Sequence, residues 1–322
     1  MARGWRILDA TAFEGTVSGS RGRIVLSGSG NSRQAVPAEE ISVLFIGGKT
    51  ALTSAALHYL TKHDVVLLVV DWRGIPFAGL YPWSEHGRVA ARHLAQAGLS
   101  LPRKKNAWMQ LIRAKILGQA ATLSVVDPTG ADYLTKLARG VRSGDPTNAE
   151  GSAARFYWRR LFSEADRFIR DQDGGDGLNA MLNYGYTVLR GYGVRAVIGA
   201  GLSPPLGLFH RGRSNYFNLV DDLIEPFRPA IDYAVLTLGT TADLANPDVK
   251  AAMVAAASQR FASDGRRIPT LLEDLAQQLG RYVEGEVDRL EVDRWTGPSP
   301  DEKPPGTVGA EDPPECELDQ TW

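Results

Sequence analysis

The sequence predicts an α+β chain: a small N-terminal β-rich domain, residues 1–83, followed by a larger all-α domain, residues 84–295. Two observations carry this. Over roughly the first 80 residues, short β-rich runs are separated by Gly/Ser/Asn clusters such as Ser27-Gly28-Ser29-Gly30-Asn31-Ser32. From about residue 84, the apolar period changes from two to 3.6. The turn at Tyr81-Pro82-Trp83 is the expected hinge.

Taken in order, Arg6–Asp9, Arg23–Leu26, Val43–Ile46 and Val65–Val70 read as strands. A short helix from about Leu52 to Lys62 interrupts them. Gly47-Gly48-Lys49-Thr50 lacks the earlier glycine of a phosphate loop and reads as a strand-to-helix turn. Helices are expected over 84–97, 103–126, 128–141, 148–171, 177–200, 221–236 and 267–295, with Asn148 as an N-cap. Residues 296–322 are rich in Pro, Gly and acids, and predict a disordered acidic tail.

The bulk numbers exclude several classes. With 322 residues, the chain is long enough for one large or two ordinary cores. Hydrophobic residues at 43% and charged residues at 23% suit a soluble globular protein. The longest apolar run, 65–70, is far too short to span a bilayer, so no membrane partner is expected. The first residues lack the apolar core of a signal peptide. One cysteine, Cys316, excludes an internal disulfide and a cysteine metal cage. A cytoplasmic location is therefore expected. The net charge of −1 conceals a tail at −6 and a body, residues 1–295, at +5. A mildly basic body permits a polyanionic partner without requiring one.

The densest chemical signal lies at 207–229, where His210 follows an apolar Leu208-Phe209 step and Asp222 and Glu225 follow at a spacing of three. On a helix, those two acids share a face. With His210 they make a mostly oxygen donor set that suits Mg²⁺ or Mn²⁺ better than structural zinc. Asp222-Leu223-Ile224-Glu225 also fits a reciprocal helix cap, which the residues alone favour over a metal site; Pro226 strengthens that alternative, and the two are not exclusive. Both readings stand at this point. A second signal is Asn148-Ala149-Glu150 followed by Arg155, Phe156, Tyr157, Trp158, Arg159 and Arg160. An acid in a first helical turn is favoured by the macrodipole alone. The basic and aromatic residues after it also suit a nucleic-acid groove.

These stretches resemble the CRISPR-associated integrase family, Cas1. The resemblance rests on the His210 segment with its Asp222-Leu-Ile-Glu225-Pro-Phe-Arg-Pro229 ending, on Glu150-Gly-Ser-Ala-Ala-Arg-Phe-Tyr157, on Asn183-Tyr184-Gly185-Tyr186-Thr187-Val188-Leu189, and on Arg113-Ala114-Lys115-Ile116-Leu117-Gly118-Gln119. It covers about residues 1–295 and is most like the type II form. It implies a helical catalytic domain behind the N-terminal β-domain, which would serve dimerisation and partner contact. It implies catalytic Glu150, His210, Asp222 and Glu225, with Glu150, His210 and Glu225 binding the metal. Some family members carry Asp at the position of Glu225.

The resemblance also implies a metal-dependent DNA endonuclease and integrase that inserts short fragments into a repeat array by transesterification. The implied partners are DNA, a second copy of the chain in a homodimer, a small companion subunit and, in type II systems, the effector nuclease. Phosphate contacts are expected from Arg103, Lys104, Lys105, Arg113, Lys115, Arg155, Arg159, Arg211 and Arg213, although 103–115 also reads as a solvated helix face. Tyr184 and Tyr186 are candidates for base stacking or for core packing. His58, His63, His86 and His93 read as structural or surface residues.

Overall fold

The structure is a computed structural model describing residues 6–29, 32–71, 74–83, 86–163, 168–175, 177–261 and 264–298. Most of the expected acidic tail, from 299 onward, lies outside the described residues. The chain divides into two compact units, and the break falls between residues 85 and 86.

The N-terminal unit is built from two four-stranded sheets. In the first, β1 (Arg6–Ala10) pairs in parallel with β5 (Ile41–Ile46), which pairs in parallel with β7 (Val66–Val70), and β8 (Pro76–Leu80) closes the edge antiparallel. Every residue of β5 is buried, so this strand reads as a continuous apolar run instead of an alternating one. In the second sheet, β2 (Gly15–Ser20) and β3 (Arg23–Gly28) form a hairpin. Its two turn residues, Arg21 and Gly22, both have positive φ, as a tight hairpin with the strands' own twist requires. β4 (Arg33–Pro37) flanks β3, and β6 (Thr50–Leu52) flanks β2. Helix α1 (Ser54–Lys62) is capped by Thr53, and its Leu60 joins Leu8, Val17, Ile24, Val36, Leu44 and Leu67 in one core.

Sequence reading missed β2, β4, β6 and β8. Gly, Ser or Pro in β2, β4 and β8 hides the β signal, and β6 is only three residues long, so pairing with neighbours decides these strands more than intrinsic preference does.

The second unit is helical: α2 (Val89–Ala97), α3 (Leu101–Leu123), α4 (Pro128–Arg139), α5 (Ala149–Leu161), α6 (Gly177–Gly199), α7 (Asn218–Ile224), α8 (Arg228–Leu238), α9 (Pro247–Ala256) and α10 (Ile268–Val283). The long α3 and α6 are buried on most of their surface and form the centre of the unit. Three expectations need correction. The helix expected over 148–171 stops at Leu161. The one expected over 267–295 stops at Val283, and the chain beyond it runs without helix, returning Leu290 and Trp295 to the core. The stretch 221–236 is two helices joined by a tight turn, Glu225–Phe227, because Pro226 and Pro229 lack the amide donors an unbroken helix needs. Helix α9 was not anticipated. No helix among the described residues is long and apolar enough to cross a membrane.

Candidate active site

Four chain segments meet at the site. The first turn of α5 carries Glu150. Its amides are held by two acceptors: Asp145 takes the N–H groups of Ala149 (2.8 Å) and Glu150 (3.0 Å), and Asn148, at left-handed φ, caps Gly151 at 3.1 Å. Glu150 therefore projects from a fixed helix start.

Helix α3 supplies Lys115. Trp108, Leu111, Ile112, Lys115, Gln119 and Thr122 follow helical spacing along one face, and all are buried. A lysine in that stripe must find counter-charges, since burying an unpaired ammonium is very costly. It finds two. Its Nζ lies 2.7 Å from Glu150 Oε1 and 2.7 Å from Glu225 Oε2. Glu225 sits in the tight turn before α8 with its side chain only 3% exposed, and Arg228 lies 3.4 Å from its other oxygen. Burial pushes the Glu225 carboxyl up, but Arg228 and Lys115 outweigh it and hold the group below its ordinary value. Burial likewise pulls Lys115 down, and the Glu225 and Glu150 charges reverse that, so the ammonium stays protonated. Glu225 Oε2 has no directed hydrogen bond; its contact with Lys115 is ionic.

Asp222, fully buried on α7, serves the loop before that helix. It accepts the amides of Leu208 (2.6 Å), Phe209 (3.1 Å) and His210 (3.2 Å), and the Nδ1 of His210 lies 2.7 Å from its Oδ1. This geometry overturns the reciprocal-cap alternative: α7 begins at Asn218, so Asp222 is inside the helix and its oxygens face another segment. The hydrogen bond that His210 donates to Asp222 raises the pKa of the imidazole against the opposing pull of burial. Burial pushes Asp222 up, partly offset by His210. Trp108 stacks on Phe209 at 4.3 Å and meets the His210 ring edge-on at 5.8 Å, which fixes the imidazole from a second side.

Among the described residues, no three His, Cys, Asp or Glu side chains stand close enough to hold an ion as they are. The acids and histidine form two neighbouring pairs: Glu150 with Glu225 around Lys115, and His210 with Asp222. The donor chemistry nevertheless fits a hard divalent cation. A buried carboxylate oxygen of Glu225 lacks a directed donor, and an ammonium already stands between two carboxylates where a cation would be attracted.

The expected DNA-contacting residues are distributed unevenly. Arg155, Arg159, Arg211, Arg213 and Lys105 are exposed, and Lys104 is half-buried. Arg155, Arg159 and Arg160 line a cavity of about 390 Å³ with Ser152, Tyr133 and Phe156. Lys115 is a correction: it is buried between carboxylates, because it falls on the apolar face of α3. Arg103 donates to the carbonyls of Tyr282 and Val287, and Arg113 donates to that of Val141, so both brace the helical unit. Tyr184 is half-buried with Lys250 5.8 Å from its ring centre. The Tyr186 hydroxyl is bonded to buried Asp232.

Sequence reasoning missed Arg228, Asp232 and the structural position of Lys115. The signal for Lys115 was present, as a charge at apolar spacing. Asp232 showed none, because its partners Tyr157 and Tyr186 come from α5 and α6.

The profile of the family described as CRISPR associated protein Cas1 matches residues 11–267. This chain belongs to the Cas1 family. It is 39% identical over 229 residues to the CRISPR-associated endonuclease Cas1 of Neisseria meningitidis serogroup C (strain 8013), covering 70% of this chain and 73% of that protein. Its fold is similar to that of a casposase bound to integration product, with TM-score 0.73, 20% identity, and coverage of 92% of this chain and 94% of the other. It is also similar to a chain of a Cas6-RT-Cas1–Cas2 complex, with TM-score 0.68, 16% identity, and coverage of 89% of this chain but 35% of the longer one. Three of the four segments singled out in the sequence, those carrying Lys115, Glu150 and His210 to Glu225, supply the two pairs just described; the fourth, Asn183–Leu189, instead brings Tyr186 to Asp232.

Proposed function

We propose that this chain is the metal-dependent DNA endonuclease and integrase of CRISPR adaptation, in its type II form, inserting short DNA fragments into a repeat array. One observation carries the reading. Glu150 and Glu225, 75 positions apart in sequence, bring carboxylates onto one shared cation, the Lys115 ammonium, beside a histidine oriented by Asp222. Catalysis is a better account of this grouping than stability, because replacing a buried ion cluster by apolar side chains is often neutral or stabilising.

In this reading, Glu150, Glu225 and His210 hold Mg²⁺ or Mn²⁺. When bound, the ion polarises the phosphoryl oxygens of the scissile phosphodiester. The protein's own groups do the rest. Asp222 holds Nδ1 of His210 and so leaves Nε2 for ion or substrate, a carboxylate–histidine arrangement common at metal sites. The exposed Arg155, Arg159, Arg211 and Arg213 bind backbone phosphates. In the exchange, the 3′-hydroxyl of the fragment loses its proton and forms a new P–O bond, one P–O bond of the repeat border breaks, and the departing 3′-oxygen takes up one proton, so bonds and protons balance. The number of phosphodiester bonds is unchanged, so no nucleoside triphosphate is required.

Two joining events, one at each fragment end, require two such sites at fixed separation. A homodimer bridged to another by a small companion subunit provides them, with the N-terminal unit as the dimerisation and partner surface. The effector nuclease of a type II system is a further partner.

The test incubates the chain and its companion subunit with Mg²⁺ or Mn²⁺, a labelled fragment and a repeat-bearing plasmid. Joined product supports integration. Cleavage without joining would indicate a nuclease acting on branched DNA, and a mobility shift without chemistry would indicate a scaffold.

A further inference from the structure

In the described geometry, the position between Glu150 and Glu225 belongs to Lys115. Its ammonium touches both carboxylates at 2.7 Å, and the residue is 8% exposed, so water screens the cluster little. Arg228 adds a second positive charge on Glu225. Two carboxylates and two cations make a cluster that is close to neutral. A divalent ion entering it with Lys115 in place would put like charges within a few ångströms in a weakly polar interior, where repulsion is several times stronger than in water. The two occupants are therefore alternatives.

We infer that Lys115 is a built-in competitor of the catalytic metal: its ammonium holds Glu150 and Glu225 together in the metal-free protein and must leave them before a divalent cation binds. This rests on the reading of Glu150 and Glu225 as metal ligands. Lysine is suited to the exchange. Its charge is a compact point on a flexible four-carbon stem, so it can withdraw without moving α3, which a planar, forked guanidinium does less readily. Until the ion arrives, Lys115 prevents the buried Glu225 and the partly exposed Glu150 carboxylates from repelling each other, and the acids stay in place. Once displaced, the ammonium needs a new anionic partner, and a DNA phosphate at the site supplies one. Lys115 thus contacts backbone phosphate only after the metal has taken its place, and metal and DNA should bind cooperatively.

The test uses Mn²⁺ binding, read by calorimetry and by the loss of the free-ion electron paramagnetic resonance signal. The wild-type chain is compared with Lys115→Met, which keeps the length of the side chain without its charge, and with Glu150→Gln. Lys115→Met is expected to bind Mn²⁺ at least about tenfold more tightly than wild type, and Glu150→Gln to lose binding. Equal or weaker affinity in a folded Lys115→Met overturns the inference while leaving the metal reading intact. Absence of Mn²⁺ binding in wild type overturns the metal reading and the inference with it. A second readout needs no variant and so does not depend on how Lys115→Met folds: amine acetylation of the wild-type chain followed by mass spectrometry. Lys115 is expected to be protected without metal and modified at saturating Mn²⁺; protection unchanged by Mn²⁺ also overturns the inference.

Discussion

The Nδ1 of His210 lies 2.7 Å from Oδ1 of Asp222, a carboxylate with no exposed surface that also closes the Leu208–His210 loop through three backbone amides. Asp222 thus sets both the ring's orientation and the path of the chain that carries it. Asp222→Asn preserves volume but replaces one acceptor oxygen with a donor, leaving at least one of these donors facing another. The expected outcome is a loss of roughly 10- to 100-fold in metal affinity or joining rate. Stability should fall by about 1–3 kcal/mol for the unsatisfied group. Strand-joining rates and denaturation midpoints check this, and near-normal joining would show that Asp222 does not orient His210.

Glu150 and Glu225 share a cation but not an environment, and this separates their variants. The Glu225 side chain is 3% exposed and faces both Lys115 and Arg228, whereas that of Glu150 is 24% exposed. Both Glu150→Gln and Glu225→Gln are expected to abolish joining. Only Glu225→Gln leaves buried cations without their shared anion, and it should destabilise the fold by roughly 3–5 kcal/mol. Urea denaturation of the two variants distinguishes them; equal midpoints would mean that Lys115 and Arg228 are satisfied without Glu225.

The division into a β-rich and a helical unit was legible because it depends on periodicity, a local property. The four strands with strong apolar runs were legible for the same reason, while β2, whose sequence is Gly-Thr-Val-Ser-Gly-Ser, exists through its pairing with β3. At the site, the residue types of Glu150, His210, Asp222 and Glu225 were visible in the sequence. Their grouping into two pairs was not, because it depends on Lys115 reaching across from α3 and on the Leu208–His210 loop folding onto α7. Arg103 and Arg113 looked like solvated cations, and their carbonyl partners, Tyr282, Val287 and Val141, come from distant or intervening chain that no local pattern reveals.

Asp232 links α8 to α5 and α6 by accepting the hydroxyls of Tyr157 and Tyr186. Burial pushes its carboxyl up to about 6, more than the two hydroxyls and the nearby arginines pull it down. The unfolded chain should titrate this group at about 3.9. Because the folded value is the higher one, the contribution to stability is full below the unfolded value and is lost as pH rises through about 6. Asp232→Asn removes this dependence. The stability of wild type relative to Asp232→Asn should therefore decrease by roughly 2 kcal/mol between about pH 4 and 7. Denaturant titrations of both chains across that range measure it, and parallel pH profiles would refute a titrating Asp232.

Helix α6 approaches α7 closely at Gly193, opposite Val220 and Ile224, which stand next to the two site acids on that side. A Cβ at 193 would lie 2.8 Å from Val220 Cγ1 and 3.0 Å from Ile224 Cγ2. Both neighbours are β-branched and fully buried, so neither can turn away without displacing others. Alanine favours a helix over glycine by about 1 kcal/mol, but overpacking a full core costs about 1–3 kcal/mol, so Gly193→Ala should be neutral to moderately destabilising. Its effect on function should be larger. Val220 precedes Asp222 by two residues and Ile224 precedes Glu225 by one, so a shift of α7 away from α6 moves both carboxylates. A displacement near 1 Å can lower the rate about 100-fold. Gly199→Ala, at the end of the same helix where a Cβ meets nothing within 4 Å, is the matched control and should leave joining unchanged. If the two variants join DNA equally well, the α6–α7 contact does not set the geometry of the acids.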